Sequence, residues 1–219
     1  MISIIIPAYN EEKYISATLD SITDQDFKEY EVIVICNGCT DNTFNTAKRY
    51  TNKVFNLRQK NTSLARNYGV KKSKGDILVF LDADIRLVKN VLSEISKANG
   101  FGTCKGIPSN VILKNTFFMV LKNFSNFISR FFPNLCGSNG IIFMKKSLFK
   151  KINGFNEKIK KGEDRNLLIN AKKLSKYVIL RSQVIISTRR YDKLGYLKII
   201  FYWIKEFFNP SDEEYLSIR

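Results

Sequence analysis

The sequence lacks histidine altogether, and its 219 residues include only four cysteines and one tryptophan. Without imidazole, a His general base, a Cys/His zinc site and a His–carboxylate metal triad are all excluded. Acid–base or metal chemistry must therefore run on Asp, Glu, Cys, Tyr or Lys. Four cysteines in a chain of this length do not form a disulfide framework. Long apolar runs are also missing, and nothing approaches the ~18 uninterrupted residues of a transmembrane helix. Met1 leads directly into the strand-like run Ile2–Ile6, so no signal peptide is expected. These absences point to a cytoplasmic setting with reduced thiols, which leaves peripheral contact with the inner face of a membrane open.

The chain does have enough apolar residues for a core, at 44% hydrophobic against 26% charged, which rules out general disorder. It also has an excess of 36 basic over 20 acidic residues, a net of +16. The excess is uneven: residues 1–100 hold 14 basic and 12 acidic residues, whereas residues 101–219 hold 22 and 8. The second half thus carries a field suited to phosphates, anionic headgroups or nucleic acid. Basic and aromatic residues do not interleave along any strand as a base-stacking platform would require, so nucleic acid is not the expected partner.

Ile2–Ile6, Glu31–Cys36, Val54–Leu57 and Asp76–Leu81 read as strands buried on both faces. Helical patterns separate them: one after Asn10-Glu11-Glu12, one from Thr40 or Asp41 to about Tyr50, and one over Ser63–Lys74 stopped by Gly75. This alternation implies a mostly parallel α/β sheet, Rossmann-like, with ligands beyond the carboxyl ends of its strands. The second half reads as a helix over Asn115–Phe132, a strand over Gly140–Met144 and a short helix over Ser147–Ile152. A helix from Glu163-Asp164, a strand over Tyr177–Ile186 and an aromatic amphipathic helix over Leu194–Phe208 follow.

Four segments are expected to meet along one rim: Pro7-Ala8-Tyr9-Asn10-Glu11-Glu12, Asn37–Thr43, Ala65-Arg66-Asn67-Tyr68-Gly69 and Asp82-Ala83-Asp84. Two carboxylates two residues apart at a strand end point the same way. Such a pair suits Mg²⁺ or Mn²⁺, hard ions that keep waters and take further ligands from phosphates.

With these elements in order, the chain resembles a family 2 glycosyltransferase of the GT-A fold over roughly residues 2–190. Gly137–Glu157 resembles the family's acceptor-side segment, and Gly162-Glu163-Asp164 its E-D element. The resemblance implies a GT-A domain over 1–190, with a nucleotide-binding half (1–100) and an acceptor-side half (101–190), followed by a C-terminal helix and tail (191–219). It implies transfer of a sugar from a UDP- or GDP-linked donor, with inversion, to a glycan or lipid-linked hydroxyl. Asp84, with Asp82, would hold the metal. Pro7, Ala8, Tyr9, Glu11, Asn37, Arg66 and Ala83 would line the donor site. Asp164, beside Glu163, would be the base. Gly137, Ser138, Asn139, Arg189 and Arg190 would face the acceptor or phosphate.

Three features depart from the family pattern. Cys36-Asn37 replaces the usual acidic pair of the second loop, no Q-x-x-R-W element is present, and no His supplies a third metal ligand. The alternative is a catalytically inert relative acting at a membrane surface or as an interaction protein. Cys36-Asn37-Gly38-Cys39 also has the C-x-x-C spacing of a redox site, although the nucleotide loop accounts for the same residues. The lysine- and aromatic-rich helices over Asn115–Phe132 and Leu194–Phe208 fit either a membrane interface or packing against the sheet or a subunit.

Overall fold

Runs that are apolar at every position are driven to the middle of a sheet, because both of their faces must be covered. In the computed structural model, which describes residues 1–132, 136–159, 161–196, 198, 199 and 201, all seven positions of β1 (Ile2–Ala8) are buried. β2 (Tyr30–Asn37), β3 (Val54–Leu57) and β4 (Ile77–Leu81) complete a parallel set ordered β3-β2-β1-β4. The crossovers are α1 (Ile15–Thr23), α2 (Thr43–Lys48) and α3 (Thr62–Lys72). Alternate residues feed opposite faces: Ile4, Ile6 and Val79 pack on one side, and Ile5, Leu78 and Phe80 on the other.

The second half extends the same sheet. Its elements are β5 (Ile85–Leu87), α4 (Val91–Ser96), β6 (Phe101–Pro108), α5 (Leu113–Ile128), β7 (Ile141–Lys145), α6 (Lys146–Lys151), α7 (Glu163–Lys172), β8 (Tyr177–Ile186) and α8 (Arg189–Leu194). The full order is β3-β2-β1-β4-β7-β6-β8-β5. β7 runs antiparallel to β4, with Leu81 opposite Ile141. This register brings the segment just before β7 to the rim where β1, β2 and β4 end, and so joins the two halves at the site.

Several boundaries differ from the sequence expectation. α3 ends at Lys72, and Gly75 instead marks a close approach: its N–H donates to Ser3 Oγ at 2.8 Å, and a Cβ there would meet the same oxygen at 2.6 Å. β5, α4 and β6 carry no clear sequence signal. β6 contains Gly102, Gly106 and the exposed Lys105, and its pairing with β8 shifts register between Cys104 and Lys105. The last helix does not begin at Leu194; α8 ends there, Gly195 breaks it at φ +81°, and helical backbone resumes at Tyr196. The remainder of that expected helix, from residue 202, lies outside the described residues. The aromatic stripe of α5 does not pack on the sheet: Phe117 and Phe124 are exposed, whereas Asn115 and Asn126 face inward. Among the described residues no helix is long and apolar enough to cross a membrane.

Candidate active site

Two arginines organise the rim. Arg66, on α3, is buried with its side chain 4% exposed, and its guanidinium meets three carboxylates. Nη2 donates to Asp82 Oδ1 at 2.9 Å, and Nη1 donates to Asp164 Oδ1 at 2.6 Å and Glu163 Oε1 at 3.1 Å. The Phe155 ring lies 5.0 Å from the guanidinium carbon. Burial alone would lower the Arg66 pKa, but Asp164, Asp82 and Glu163 raise it above its ordinary value, so it stays charged. The helix around it is fixed by Gly69, where a Cβ would stand 2.4 Å from Ile5 Cγ2. Asn67 ties α3 to the segment after α6, donating to Phe155 O at 2.9 Å and Glu157 Oε1 at 2.8 Å.

The acids are placed by their elements. Asp82 follows β4, its N–H donating to Gly140 O at 2.9 Å. Gly140 adopts φ +75°, and a side chain there would press on Ile85 at 2.7 Å and approach Asp82 Oδ2 at 3.2 Å. Ala83 is buried, and its carbonyl accepts from Thr18 Oγ1 at 2.8 Å. Loss of water raises the Asp82 pKa to about 7, with Asp164, Asp84 and Glu163 adding to the rise and Arg66 opposing it; the side chain's 41% exposure tempers that rise. Glu163 and Asp164 occupy the first turn of α7, where the free N–H groups of a helix favour negative charge. Burial, then Asp164, raises the Glu163 pKa. Asp164 Oδ2 accepts from Ser138 Oγ at 2.8 Å.

Arg189, the first residue of α8, spans the other side of the rim. Its Nη2 lies 2.7 Å from Glu11 Oε1 and 3.0 Å from Asp84 Oδ2, and its guanidinium covers the Tyr14 ring at 4.2 Å. Glu11 is held in turn by its N–H, which donates to Thr43 Oγ1 at 2.8 Å. Arg190 follows, half-buried.

Other expected residues take supporting positions. Pro7 and Ala8 lie within β1 and are buried, so they shape the rim through their backbone. Tyr9 is half-buried, with Lys60 Nζ 4.5 Å from its ring centroid. Asn37 ends β2 at 3% exposure, and its Oδ1 has no hydrogen-bond partner among the described residues. Gly137 presents a carbonyl that accepts from Tyr177 Oη at 2.7 Å. Asn139, expected at the acceptor, is turned into the protein: its Nδ2 donates to Cys104 O at 2.8 Å and Asn123 Oδ1 at 3.1 Å. Cys39 is occupied structurally, donating to Ala8 O at 3.3 Å and accepting from Asn10 N–H at 3.4 Å. Its hydrogen bond with Cys36 lowers the Cys39 pKa and raises that of Cys36. Tyr14, Asn67, Phe155 and Lys60 were not singled out from the sequence. Only Asn67 and Phe155 lay inside recognisable motifs.

No three His, Cys, Asp or Glu side chains converge on one metal position among the described residues. Asp82 and Asp84 nevertheless offer hard carboxylate oxygens, each with only one oxygen in an arginine ion pair. That donor set fits a Mg²⁺ or Mn²⁺ ion that completes its shell with water and phosphate.

The chain resembles known proteins in sequence and in fold. At the sequence level, TarS of Staphylococcus aureus, a poly(ribitol-phosphate) β-N-acetylglucosaminyltransferase, is 35% identical over 100 residues, covering 42% of this chain and 18% of TarS. The amylovoran biosynthesis glycosyltransferase AmsB of Erwinia amylovora is 30% identical over 200 residues, covering 81% of this chain and 66% of AmsB. The crystal structure of TarS residues 1–349 superposes with a TM-score of 0.65 at 22% identity, covering 88% of this chain and 63% of that one. The mannosyltransferase PcManGT of Pyrobaculum calidifontis, in complex with GDP-Man and Mn²⁺, gives 0.64 at 19% identity, covering 83% and 56%. These likenesses assign the fold as GT-A. The sequence model of glycosyl transferase family 2 matches residues 3–152, more than half of the protein, and the chain therefore belongs to that family.

Proposed function

We propose that the chain transfers a sugar from a uridine or guanosine diphosphate donor to an acceptor hydroxyl, with inversion at the anomeric carbon. Support for the donor class comes from relatives: TarS has been crystallised with UDP-GlcNAc, and PcManGT with GDP-Man and Mn²⁺. The observation that carries the reading is one buried guanidinium joining Asp82, on the donor side, to Asp164, on the acceptor side.

In the reaction the acceptor oxygen forms a bond to the anomeric carbon as the bond to the diphosphate oxygen breaks on the opposite face. The acceptor proton passes to Asp164, whose Oδ1 is fixed by Arg66 and Oδ2 by Ser138. Bound at Asp82 and Asp84, Mg²⁺ or Mn²⁺ would supply charge to stabilise the departing diphosphate. Arg189, already beside Asp84, adds a second cation suited to the same phosphates, with Arg190 next to it. The unpartnered Asn37 Oδ1 is suited to accept from an N–H on the base edge.

Asp164→Asn tests the reading. The variant should bind UDP or GDP in the presence of Mn²⁺ as the parent does, yet transfer sugar at least ~100-fold more slowly, with product configuration read by NMR in the parent. Transfer near the parental rate would rule out Asp164 as the base.

A further inference from the structure

α5 buries Phe118 and Met119 in the core but leaves most of its apolar residues outside. Asn115 and Asn126 are buried, while Leu113, Phe117, Val120, Phe124, Phe127 and Phe131 are exposed, Leu113 at 89% and Phe117 at 64%. Steps of four and three residues place the first five on one helical stripe about 21 Å long, with Phe131 in the turn just past the helix. Asn115 and the half-buried Asn123 are hydrogen-bonded, whereas the buried Asn126 Nδ2 has no hydrogen-bond partner among the described residues. Asn115 Nδ2 donates to Asn110 O at 2.8 Å, and Asn123 both accepts from Gly106 N–H at 2.9 Å and donates to Gly106 O at 2.8 Å. Rolling the helix to bury its aromatics would strand these groups, so the polar face fixes the apolar one outward. An exposed apolar surface of this extent marks a docking face.

The charge around the stripe selects the occupant. The helix and its flanks, residues 111–132, carry three basic residues and no acid. Lys114, Lys122 and Arg130 lie within or beside the helix, Lys114 also facing Asp192 at 3.8 Å on the surface. A second copy would set this basic face against itself. An anionic bilayer satisfies both features, taking the aromatics at the acyl boundary and the cations at the headgroups. The inner side of α5 reaches the active-site rim through Asn123, which accepts from Asn139 Nδ2 at 3.1 Å, next to the Ser138 that holds Asp164.

We propose that α5 is a peripheral membrane-docking helix that seats this protein on an anionic bilayer, with the Asp164 side of the rim supported from behind by the docked helix. That an acceptor is carried on the same membrane rests on the transferase reading; the docking does not.

Flotation of the full chain with vesicles of phosphatidylglycerol and phosphatidylcholine in about equal amounts tests the proposal. The chain should rise with these vesicles at low salt and bind pure phosphatidylcholine at least ~10-fold more weakly. Phe117→Ser with Phe124→Ser should weaken binding ~10-fold or more per side chain, with melting temperature and nucleotide-diphosphate binding unchanged. The proposal is overturned if the parent stays at the bottom, or if the double variant floats as the parent does. A parent dimer that the same substitutions dissociate would give the face to a second copy. A sharp fall in the variant's melting temperature without vesicles would give it to the chain's own C-terminal segment. Because the flotation contains no donor, a failure of the transferase reading would appear separately, as lost UDP and GDP binding with flotation intact.

Discussion

Arg66 shows how much of the site depends on one side chain. Its charge is almost fully removed from water, which is tolerable only because three carboxylates surround it. Those carboxylates also need the arginine, since Asp82, Glu163 and Asp164 would otherwise repel one another. Arg66→Met should therefore destabilise the protein by roughly 3–5 kcal/mol in urea unfolding, the cost of uncompensated buried charge. Arg66→Lys should recover only part of that loss, because one ammonium cannot reproduce a fork reaching Asp82 through one nitrogen and the acidic pair through the other. Equal stability of Arg66→Met and the parent would show that the three carboxylates tolerate one another unaided. The motif containing Arg66 was legible in the sequence, but its partners were not, because Glu163 and Asp164 lie 97 and 98 residues away.

At the scale of elements, the parallel strands are locked at their other end by Glu31 on β2. Glu31 accepts from Ser3 Oγ, from the Lys74 and Gly75 backbone N–H groups and from Lys53 Nζ. Burial would raise its pKa, but these donors win and bring it down to about 2. A folded pKa below the unfolded one means stability present above about pH 5 and lost as pH falls toward 2. The melting temperature of the parent should drop through that window. Glu31→Gln should lower stability by roughly 2 kcal/mol at neutral pH and flatten the acid limb measured by circular dichroism. An unchanged acid limb in the variant would show that other carboxylates govern it. The strands that Glu31 ties were readable from their β-branched runs, whereas β5, α4 and β6 were not. Glycines and an exposed lysine sit in β6 because β7, β8 and α5 supply its order from outside.

Across the whole molecule, the two halves share one sheet. β4 is flanked by β1 on one side and β7 on the other, so residues 1–100 alone would leave Ile77–Leu81 with an open apolar edge. We expect a fragment of residues 1–100 to aggregate or to lack a cooperative thermal transition, and the full chain to unfold in a single step by circular dichroism. A soluble fragment with its own sharp transition would show that this half folds independently. The charge asymmetry follows the same division: the near-balanced half carries Asp82 and Asp84, and the basic half carries α5 and Arg189.

By itself, the sequence determined the alternating α/β order, the placement of the aspartates at strand and helix ends and the absence of any imidazole. These are local properties, set by hydrophobic period, capping preference and side-chain chemistry. Tertiary structure alone decided that Arg66 would bridge Asp82 to Glu163 and Asp164, that Asn139 would turn inward, that Arg189 would lie on Glu11 and Asp84, and that the α5 stripe would face outward. Each of these depends on contacts between residues far apart in the chain, or on which face of an amphipathic helix meets the sheet. In α5, the packing of Phe118 and Met119 and the hydrogen bonds of Asn115 and Asn123 set the orientation and leave the phenyl stripe outside, because turning those amides out of their bonds would cost free energy.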